Sequence, residues 1–491
     1  MTIVGLDDTD SRSRGMCTTY LATRVAERIE ATDARVHRRL LVRLNPAVKH
    51  KTRGNAALAL HTDLDPDRAL EIATAAIREW SIGEDPRTSP GVVVADVSPD
   101  VGADAGPDPA AEADAVPGAT DEANAIPEPI AEFARGALRR RYDLSDAISL
   151  IDEYDLHHAG FAAEGCPVEG RGRIGALAAV GAAAAFEEWT HEHIVYREFD
   201  RCGTPRSVDH DSVFTAADAG YPTVWDTVDR GTDAAVCVPN APGPILYGIR
   251  GDDPDACRAV AERIDSEPVD RAATFLTNQG TDAHLRTGEI GSLRTGAGYR
   301  VDCVVATAPE TRRGGHVFLE LAAPGTSAGA KTGAKTEAET EAEAETEAEA
   351  DDARDRLLAA AFAPTERFRD RVRALRPGDR ITVCGEVATG READATAPDR
   401  TIKLEKFAVR DLVRTERVTP TCPDCGRSMS SAGRGQGYRC RDCGTAASGK
   451  ETRRIDRDLE PGWYEVPPCA RRHVAKPLVR GGFDAPVHPE Q

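Results

Sequence analysis

Three aspartates fall within four positions, Asp7, Asp8 and Asp10, in the segment Gly5-Leu6-Asp7-Asp8-Thr9-Asp10-Ser11. The apolar stretch before them predicts a strand, so the carboxylates sit where that strand ends. Carboxylates this close repel one another unless a cation neutralises them. Hard oxygen ligands in such an array suit Mg²⁺, which commonly enters with the phosphates of a nucleotide. A solvated acidic turn fits the charge alone equally well. Just beyond, Gly15-Met16-Cys17-Thr18-Thr19 runs into a predicted helix and places Thr18 near its start. Free backbone N–H groups and the helix dipole make that end favourable for phosphate. Taken in isolation, a threonine there is ordinarily a helix cap.

Other segments could join this chemistry. Lys49-His50-Lys51-Thr52-Arg53-Gly54-Asn55 is a basic loop on the same strand-end side, with Lys51 and Arg53 as candidates to hold ATP phosphates or RNA. Gly170-Arg171-Gly172-Arg173-Ile174-Gly175 precedes an alanine-rich helix, and Gly170, Arg171 and Gly172 could cradle a phosphate. No Gly-Lys-Ser/Thr follows, so it is not a Walker motif. Cys422-Pro-Asp-Cys425 and Cys440-Arg-Asp-Cys443 are two CxxC knuckles separated by 14 residues, each followed by a glycine, Gly426 and Gly444. Four thiolates at this spacing suit a closed, structural Zn²⁺ site better than redox chemistry.

The elements that position these groups follow from periodicity. Strands are predicted at Thr2–Gly5, Val36–Leu44, Ala56–His61 and Gly91–Val97, with helices at Thr19–Glu30 and Pro66–Trp80. Strands interleaved with helices imply an α/β or α+β layered fold. From His193 to Thr277 the order is strand, helix, two or three strands (Thr223–Val228, Ala234–Pro239, Ile245–Ile249), helix, strand, which suggests a ferredoxin-like unit. The next region is strand-rich, at Arg300–Ala308, His316–Ala322, Arg380–Val387 and Thr401–Val409. The turn Arg376-Pro377-Gly378-Asp379 leads into one of them, and a five-stranded OB-fold barrel fits. The predicted class is therefore α+β multidomain: residues 1–190 with an acidic insert at 96–128, then 191–281. Residues 282–412 follow with a low-complexity insert at 326–353, and 413–491 form a zinc ribbon with a basic tail.

Composition narrows the setting. The chain of 491 residues is 40% hydrophobic, enough for several packed domains, and no apolar run reaches the ~18 residues of a membrane span. A cytoplasmic protein is expected. The net charge of −20 argues against a nucleic-acid binder taken whole, yet only 8 of the 62 basic residues are lysine. Acid-rich, lysine-poor composition resembles that of proteins from salt-loving organisms, where carboxylates keep the surface hydrated. From Arg410 to Arg480 the balance reverses, with 15 Lys and Arg against 9 Asp and Glu. Tyr438, Trp463, Tyr464 and Arg471-Arg472-His473 lie within that stretch and suit phosphate contact and base stacking, or else pack a small domain.

Together the motifs resemble the archaeal tRNA-isoleucine agmatidine synthetase family (TiaS). The resemblance rests on GLDDTDS at Gly5 to Ser11, GMCTTYLA at Gly15 to Ala22 and KTRGN at Lys51 to Asn55. It continues through GRGRIGALAA at Gly170 to Ala179, TNQGTDAHL at Thr277 to Leu285 and the cysteine knuckles. It implies a kinase-like domain, a ferredoxin-like domain, an OB-fold and a zinc ribbon. The activity implied is ATP-dependent replacement of the carbon-2 oxygen of a wobble cytidine by agmatine, in the isoleucine tRNA with a CAU anticodon. ATP would be consumed to AMP and phosphate, and decoding would switch from AUG to AUA. Asp7, Asp8 and Asp10 would hold Mg²⁺ and ATP, and Thr18 would be autophosphorylated. Agmatine would sit where the ferredoxin-like and kinase-like domains meet, with Asp200, Asp209, Asn278 and Gln279 as candidates. Cys202 stands where the family often has an aromatic before Gly-Thr-Pro-Arg, which removes a stacking partner there. Two other readings compete, a non-catalytic single-strand binder and a nucleotide-dependent kinase with another target.

Overall fold

A computed structural model describes residues 1–12, 16–49, 54–81, 85–97, 125–325, 356–389 and 400–491. Most of the acidic insert and all of the low-complexity insert expected from the sequence lie outside the described residues.

The N-terminal half is built on one nine-stranded sheet. Its first portion comprises β1 (Thr2–Asp7), β2 (Val36–Arg43), β3 (Ala56–Thr62), β4 (Gly91–Asp96) and β5 (His157–Gly160). The central strands are apolar at successive positions because helices cover both faces. On one face Val4, Leu6, Val92 and Val94 meet α1 (Thr18–Glu30) and α2 (Pro66–Trp80) through Leu21, Val25 and Ile77. The other face is covered by α3 (Glu128–Ala137), α4 (Leu144–Glu153) and α5 (Arg173–Val180). There Ile3, Val93 and Ala95 meet Ile130, Phe133 and Leu177. A capping box of Asp143 and Asp146 opens α4.

The second portion contains β6 (Thr190–Arg197), β7 (Val224–Trp225), β8 (Ile245–Gly251) and β9 (Val269–Thr277), with α6 (His210–Gly220) and α7 (Pro254–Ala261). All pairings within it are antiparallel. The order across the whole sheet is β5-β4-β1-β3-β2-β9-β6-β8-β7. The two portions join through a short parallel contact, Leu40 and Leu41 of β2 against Leu276 and Thr277 of β9. Two sequence expectations fail here. The run Ala234–Pro239 forms no strand: it holds one isolated bridge, Asp229 to Ala234, and follows a left-handed Asp233 (φ 53°). Its apolar side chains still pack, Cys237 being 5% exposed, so burial without a ladder mimicked a strand. The strand expected over Thr223–Val228 keeps only Val224 and Trp225, because Asp226 (φ 55°) turns the chain.

The third region opens with a short β10 (Leu285–Thr287) and then closes a five-stranded barrel. The barrel strands are β11 (Gly298–Val305), β13 (Val317–Ala322), β14 (Arg356–Ala361), β15 (Arg380–Thr389) and β16 (Arg400–Asp411), with a two-residue β12 (Glu310–Thr311) beside β13. Pairings run β11-β13-β14-β16-β15 and back to β11, with β14 and β16 parallel. The turn before β15 is the predicted one, with Gly378 at φ 92° and Arg376 donating its N–H to Asp379. A later strand, Gly462–Glu465, adds to β16, and small strands at 415–454 carry the cysteine knuckles.

The basic C-terminal segment is a correction to the sequence reading. Trp463 is fully buried and Tyr464 nearly so, while Arg471 bridges Asp226 and Glu465 inside the protein. Arg472 bridges Glu386 and Glu405, and His473 packs edge-on to His284. Arg471 and His473 thus tie the C-terminal segment to the sheet, and Arg472 ties it to the barrel. The ribbon's Arg427, Arg434, Arg439 and Arg441 do face solvent.

Candidate active-site cleft

The three aspartates line one cleft of about 160 Å³. Asp7 is the last residue of β1, and its Oδ1 accepts the Asp8 N–H at 2.6 Å. Asp8 takes a left-handed conformation (φ 57°), which aspartate tolerates better than most residues. Its carboxylate pairs with Arg171. Burial, then the adjacent Asp8, then Asp10 push the Asp7 carboxyl well above the usual carboxylate range. A cation bound there would offset the repulsion from Asp8 and Asp10. The loop is anchored at its far side by Arg12, whose guanidinium is held by the buried Asp85, and by Thr88 donating to the Asp10 carbonyl at 2.5 Å.

Thr18 opens α1, and the helix is not capped by its own N-cap, Cys17. Instead the Asp10 Oδ1 accepts the Thr18 N–H at 2.6 Å and its hydroxyl at 3.1 Å. The Thr9 hydroxyl lies 3.1 Å from the same Thr18 oxygen. Thr18 is 4% exposed, so it meets the cleft through Asp10 rather than lining it. The cap reading of Thr18 therefore fails: the threonine receives a cap from an aspartate of the acidic loop.

The glycines of the 170–175 loop do steric work. A Cβ on Gly175 would lie 1.9 Å from Asp7 Oδ2, and one on Gly172 would lie 2.5 Å from the Asp7 carbonyl oxygen. The loop must come this close because it packs directly against β1 and β4: Gly172 donates its N–H to the Ser89 carbonyl at 2.8 Å. Arg171 and Gly172 line the cleft, whereas Gly170 (φ 67°) shapes the turn behind it. Lys51 and Arg53 fall outside the described residues, although their neighbours Val48, Gly54 and Asn55 line the cleft.

Another part of the lining was not foreseen from sequence. It is the connection between α3 and α4, contributing Arg140, Arg141, Tyr142 and Asp143. The signal was available, since three arginines and a tyrosine end a helix in a chain otherwise rich in acid.

The candidates for agmatine fall on separate elements, with only Asn278 and Gln279 adjacent. Asp200 is exposed in a short 3-10 turn, and Asp209 caps α6 by accepting the Ser212 N–H at 2.8 Å. Asn278 is fully buried, and its amide pairs with both backbone groups of Arg43, at 2.7 and 3.0 Å. That contact ties β9 to β2. Gln279 follows it, 9% exposed.

At the other end of the chain, the sulfurs of Cys422, Cys425, Cys440 and Cys443 lie within 4.8 Å of one another. Gly426 (φ 70°) and Gly444 (φ 73°) turn each knuckle, donating to the carbonyls of Cys422 and Cys440 at 2.8 and 3.0 Å. Four converging thiol sulfurs on two such turns fit tetrahedral Zn²⁺. No helix among the described residues is long and apolar enough to cross a membrane.

Family models match three stretches of the chain. Models of the TiaS TCKD domain, the TiaS FLD domain and the TiaS C-terminal zinc ribbon domain match residues 3–163, 170–284 and 419–459. The isoleucine-tRNA 2-agmatinylcytidine synthetase TiaS of Haloquadratum walsbyi is 53% identical over 501 residues, covering 100% of both chains. The protein of the same name from Methanosarcina acetivorans is 38% identical, covering 97% of each. A crystal structure of TiaS in complex with its isoleucine tRNA, AMPCPP and agmatine superposes with a TM-score of 0.75 at 33% identity, covering 100% of this chain and 99% of that one.

Proposed function

The chain belongs to the TiaS family, and we propose that it uses ATP to join agmatine to carbon 2 of the wobble cytidine of the isoleucine tRNA with a CAU anticodon. The observation that carries this reading is the aspartate cleft beside Thr18, set in a chain that matches TiaS proteins over its whole length. A carbonyl oxygen on a pyrimidine is a poor leaving group. Transfer of a phosphoryl group to it creates a phosphate that departs when the agmatine amine attacks carbon 2. Positioning and electrostatics supply most of such a phosphoryl step.

The chain's own residues have definable parts in it. Asp7, Asp8 and Asp10 would supply hard oxygens for Mg²⁺ with its triphosphate, since all three line one cleft. Such a cation neutralises phosphate charge when bound. Arg171 steadies Asp8, and Gly172 and Gly175 let the Arg171 loop approach the strand end. Thr18 is the phosphate acceptor implied by the family resemblance. Its hydroxyl proton has an acceptor in place, the Asp10 carboxylate. Lys51 and Arg53 would reach the phosphates from the basic loop.

The finer architecture follows the same reading. The first sheet portion with its helices serves as the kinase-like domain. The order β9-β6-β8-β7 with two helices is that of a ferredoxin-like unit. The closed ring with one parallel pair is that of an OB-fold, suited to RNA. Agmatine would enter between the first two, near Asn278 and Gln279, with Asp200 and Asp209 as outer carboxylates for its guanidinium. The barrel and the exposed arginines of the zinc ribbon would hold the tRNA in a cytoplasmic setting.

The test is incorporation of labelled agmatine into an unmodified transcript of this tRNA, with ATP, Mg²⁺ and high KCl. Incorporation dependent on both ATP and Mg²⁺ is expected. ATP turnover without it, on another acceptor, would favour a kinase of different target, and binding without turnover would leave a single-strand binder.

A further inference from the structure

The α3–α4 connection that shares the cleft with the aspartates carries a second assignment. Phe133 of α3 is buried, and Tyr142 stacks on it with ring centroids 4.0 Å apart and an interplanar angle of 20°. On Tyr142 lies the guanidinium of Arg140, 4.5 Å from the ring centroid, which also donates to the tyrosine hydroxyl. Gly136 makes room for that hydroxyl: a Cβ there would lie 2.1 Å from it. The three side chains form a column rising from the core to the cleft, and both Arg140 and Tyr142 line the cleft. The preceding Arg139 turns the other way and donates to the Ala283 carbonyl at 3.1 Å.

Charge makes the column informative. In this acid-rich chain arginines are widely paired, yet among the described residues Arg140 meets no carboxylate within ion-pair distance, and Arg141 only approaches Asp143 at 3.9 Å. On the aspartate side, the guanidinium that lines the cleft, Arg171, is already engaged by Asp8. A divalent cation would bring that side close to neutrality, and a bound triphosphate would then present strong negative charge to the arginines that share the cleft. A guanidinium fixed by cation–π contact and a hydrogen bond has lost much of its rotamer freedom before the ligand arrives.

We propose that Arg140, held on Tyr142, is a pre-set clamp for the polyphosphate chain of the nucleotide, with Arg141 as its outer partner. This rests on the reading of the cleft as the nucleotide site and goes beyond it by assigning phosphate recognition to the α3–α4 connection. Arg140 is a binding residue, and Tyr142 is a positioning residue that acts through it.

The experiment compares wild type, Arg140→Ala, Arg140→Lys and Tyr142→Phe in agmatine incorporation at high KCl, with inhibition by tripolyphosphate and by adenosine as probes. For Arg140→Ala the KM for ATP is expected to rise ~10-fold or more, as for loss of a charge-assisted hydrogen bond, with kcat within about twofold. Tripolyphosphate inhibition should weaken by a similar factor and adenosine inhibition should hold. Arg140→Lys should recover part of the loss, and Tyr142→Phe, which keeps the stack and removes the hydroxyl, should shift KM less in the same direction. Equal weakening by adenosine would overturn the clamp in favour of base stacking. A fall in melting temperature with an unmoved KM would overturn it in favour of a structural column. Wild type serves as the control for the underlying reading. If wild type turns over ATP but fails to incorporate agmatine, the proposed function falls while the clamp is still judged on ATP. If wild type incorporates agmatine and Arg140→Ala leaves the KM unchanged, only the clamp falls.

Discussion

The backbone N–H of Thr18 donates to Asp10 Oδ1 at 2.6 Å, so one carboxylate, beside the Thr9 hydroxyl, fastens the acidic loop to the first long helix. Asp10 thus does two things. It satisfies an orphan donor at the helix start, and it accepts the hydroxyl of the residue expected to receive phosphate. Thr18→Ala removes the hydroxyl and leaves the backbone bond, so it should abolish agmatine incorporation while tRNA affinity stays within about twofold and stability falls by about 1 kcal/mol. Thr18→Ser should retain activity. Full activity in Thr18→Ala, measured on the same transcript, would remove Thr18 from the chemistry.

Asp7 is held in a costly state. Its folded-state carboxyl is raised by burial and by Asp8, so its ionisation weakens the fold above the ordinary carboxylate pKa. The stability it confers is present at acid pH and is lost as pH rises through the folded value. At neutral pH without a divalent cation, Asp7→Asn should therefore raise the melting temperature, since Asn still offers Oδ1 to the Asp8 N–H. Mg²⁺ should raise the melting temperature of wild type and shift the variant less, and the variant should be inactive. A lower melting temperature for metal-free Asp7→Asn would show that the charge is already compensated by the protein.

How far this was legible in sequence depends on whether a signal was local. The first strand and the first helix were readable to within two residues, as Thr2–Gly5 and Thr19–Glu30 against Thr2–Asp7 and Thr18–Glu30, because apolar runs stop at charged or glycine-rich turns. The cysteine knuckles were readable because four ligands with paired glycines leave few alternatives. The bond from Asp10 to Thr18 was hidden because its two residues belong to different elements. Trp463 and Arg471 misled in the opposite direction. A basic, aromatic segment has the composition of an RNA surface, and only the positions of Glu465 and Asp226 reveal that its charges are met inside the protein. The Arg140 wall was passed over because no motif marks it.

His284 and His473 predict an acid limit. They lie edge to face, 5.1 Å between ring centroids, where the loop after β9 meets the C-terminal segment. Burial lowers His284 to about 4, and burial, with the repulsion that a protonated His284 would add, lowers His473 well below its ordinary value. Both are neutral in the fold and protonate readily once unfolded, near pH ~6.5. The stability they confer is whole above about pH 6.5 and is lost as pH falls toward 4, on the order of 3 kcal/mol for His284. Melting temperature against pH at constant KCl should fall in that window, and His284→Gln should flatten the fall. An unchanged slope in that variant would place the acid sensitivity elsewhere.

The cysteine cluster sets the last prediction, because its four thiols lie outside the larger hydrophobic clusters that build the sheet and the barrel. Cys422 and Cys440 pack only with Met429 and their near neighbours, so the ribbon has a core of a few side chains. A unit this small depends on its metal for folding. Removing Zn²⁺ with a chelator, or making Cys440→Ser, should therefore melt the knuckles over 421–447 and leave the aspartate cleft intact. Exposed Arg427, Arg434, Arg439 and Arg441 would lose their fixed arrangement, so tRNA affinity should drop before ATP turnover does. Metal content, tRNA binding and ATP hydrolysis measured on one preparation separate these effects. If ATP hydrolysis falls first, the ribbon acts on the aspartate cleft itself, and the division of labour between the two ends of the chain is wrong.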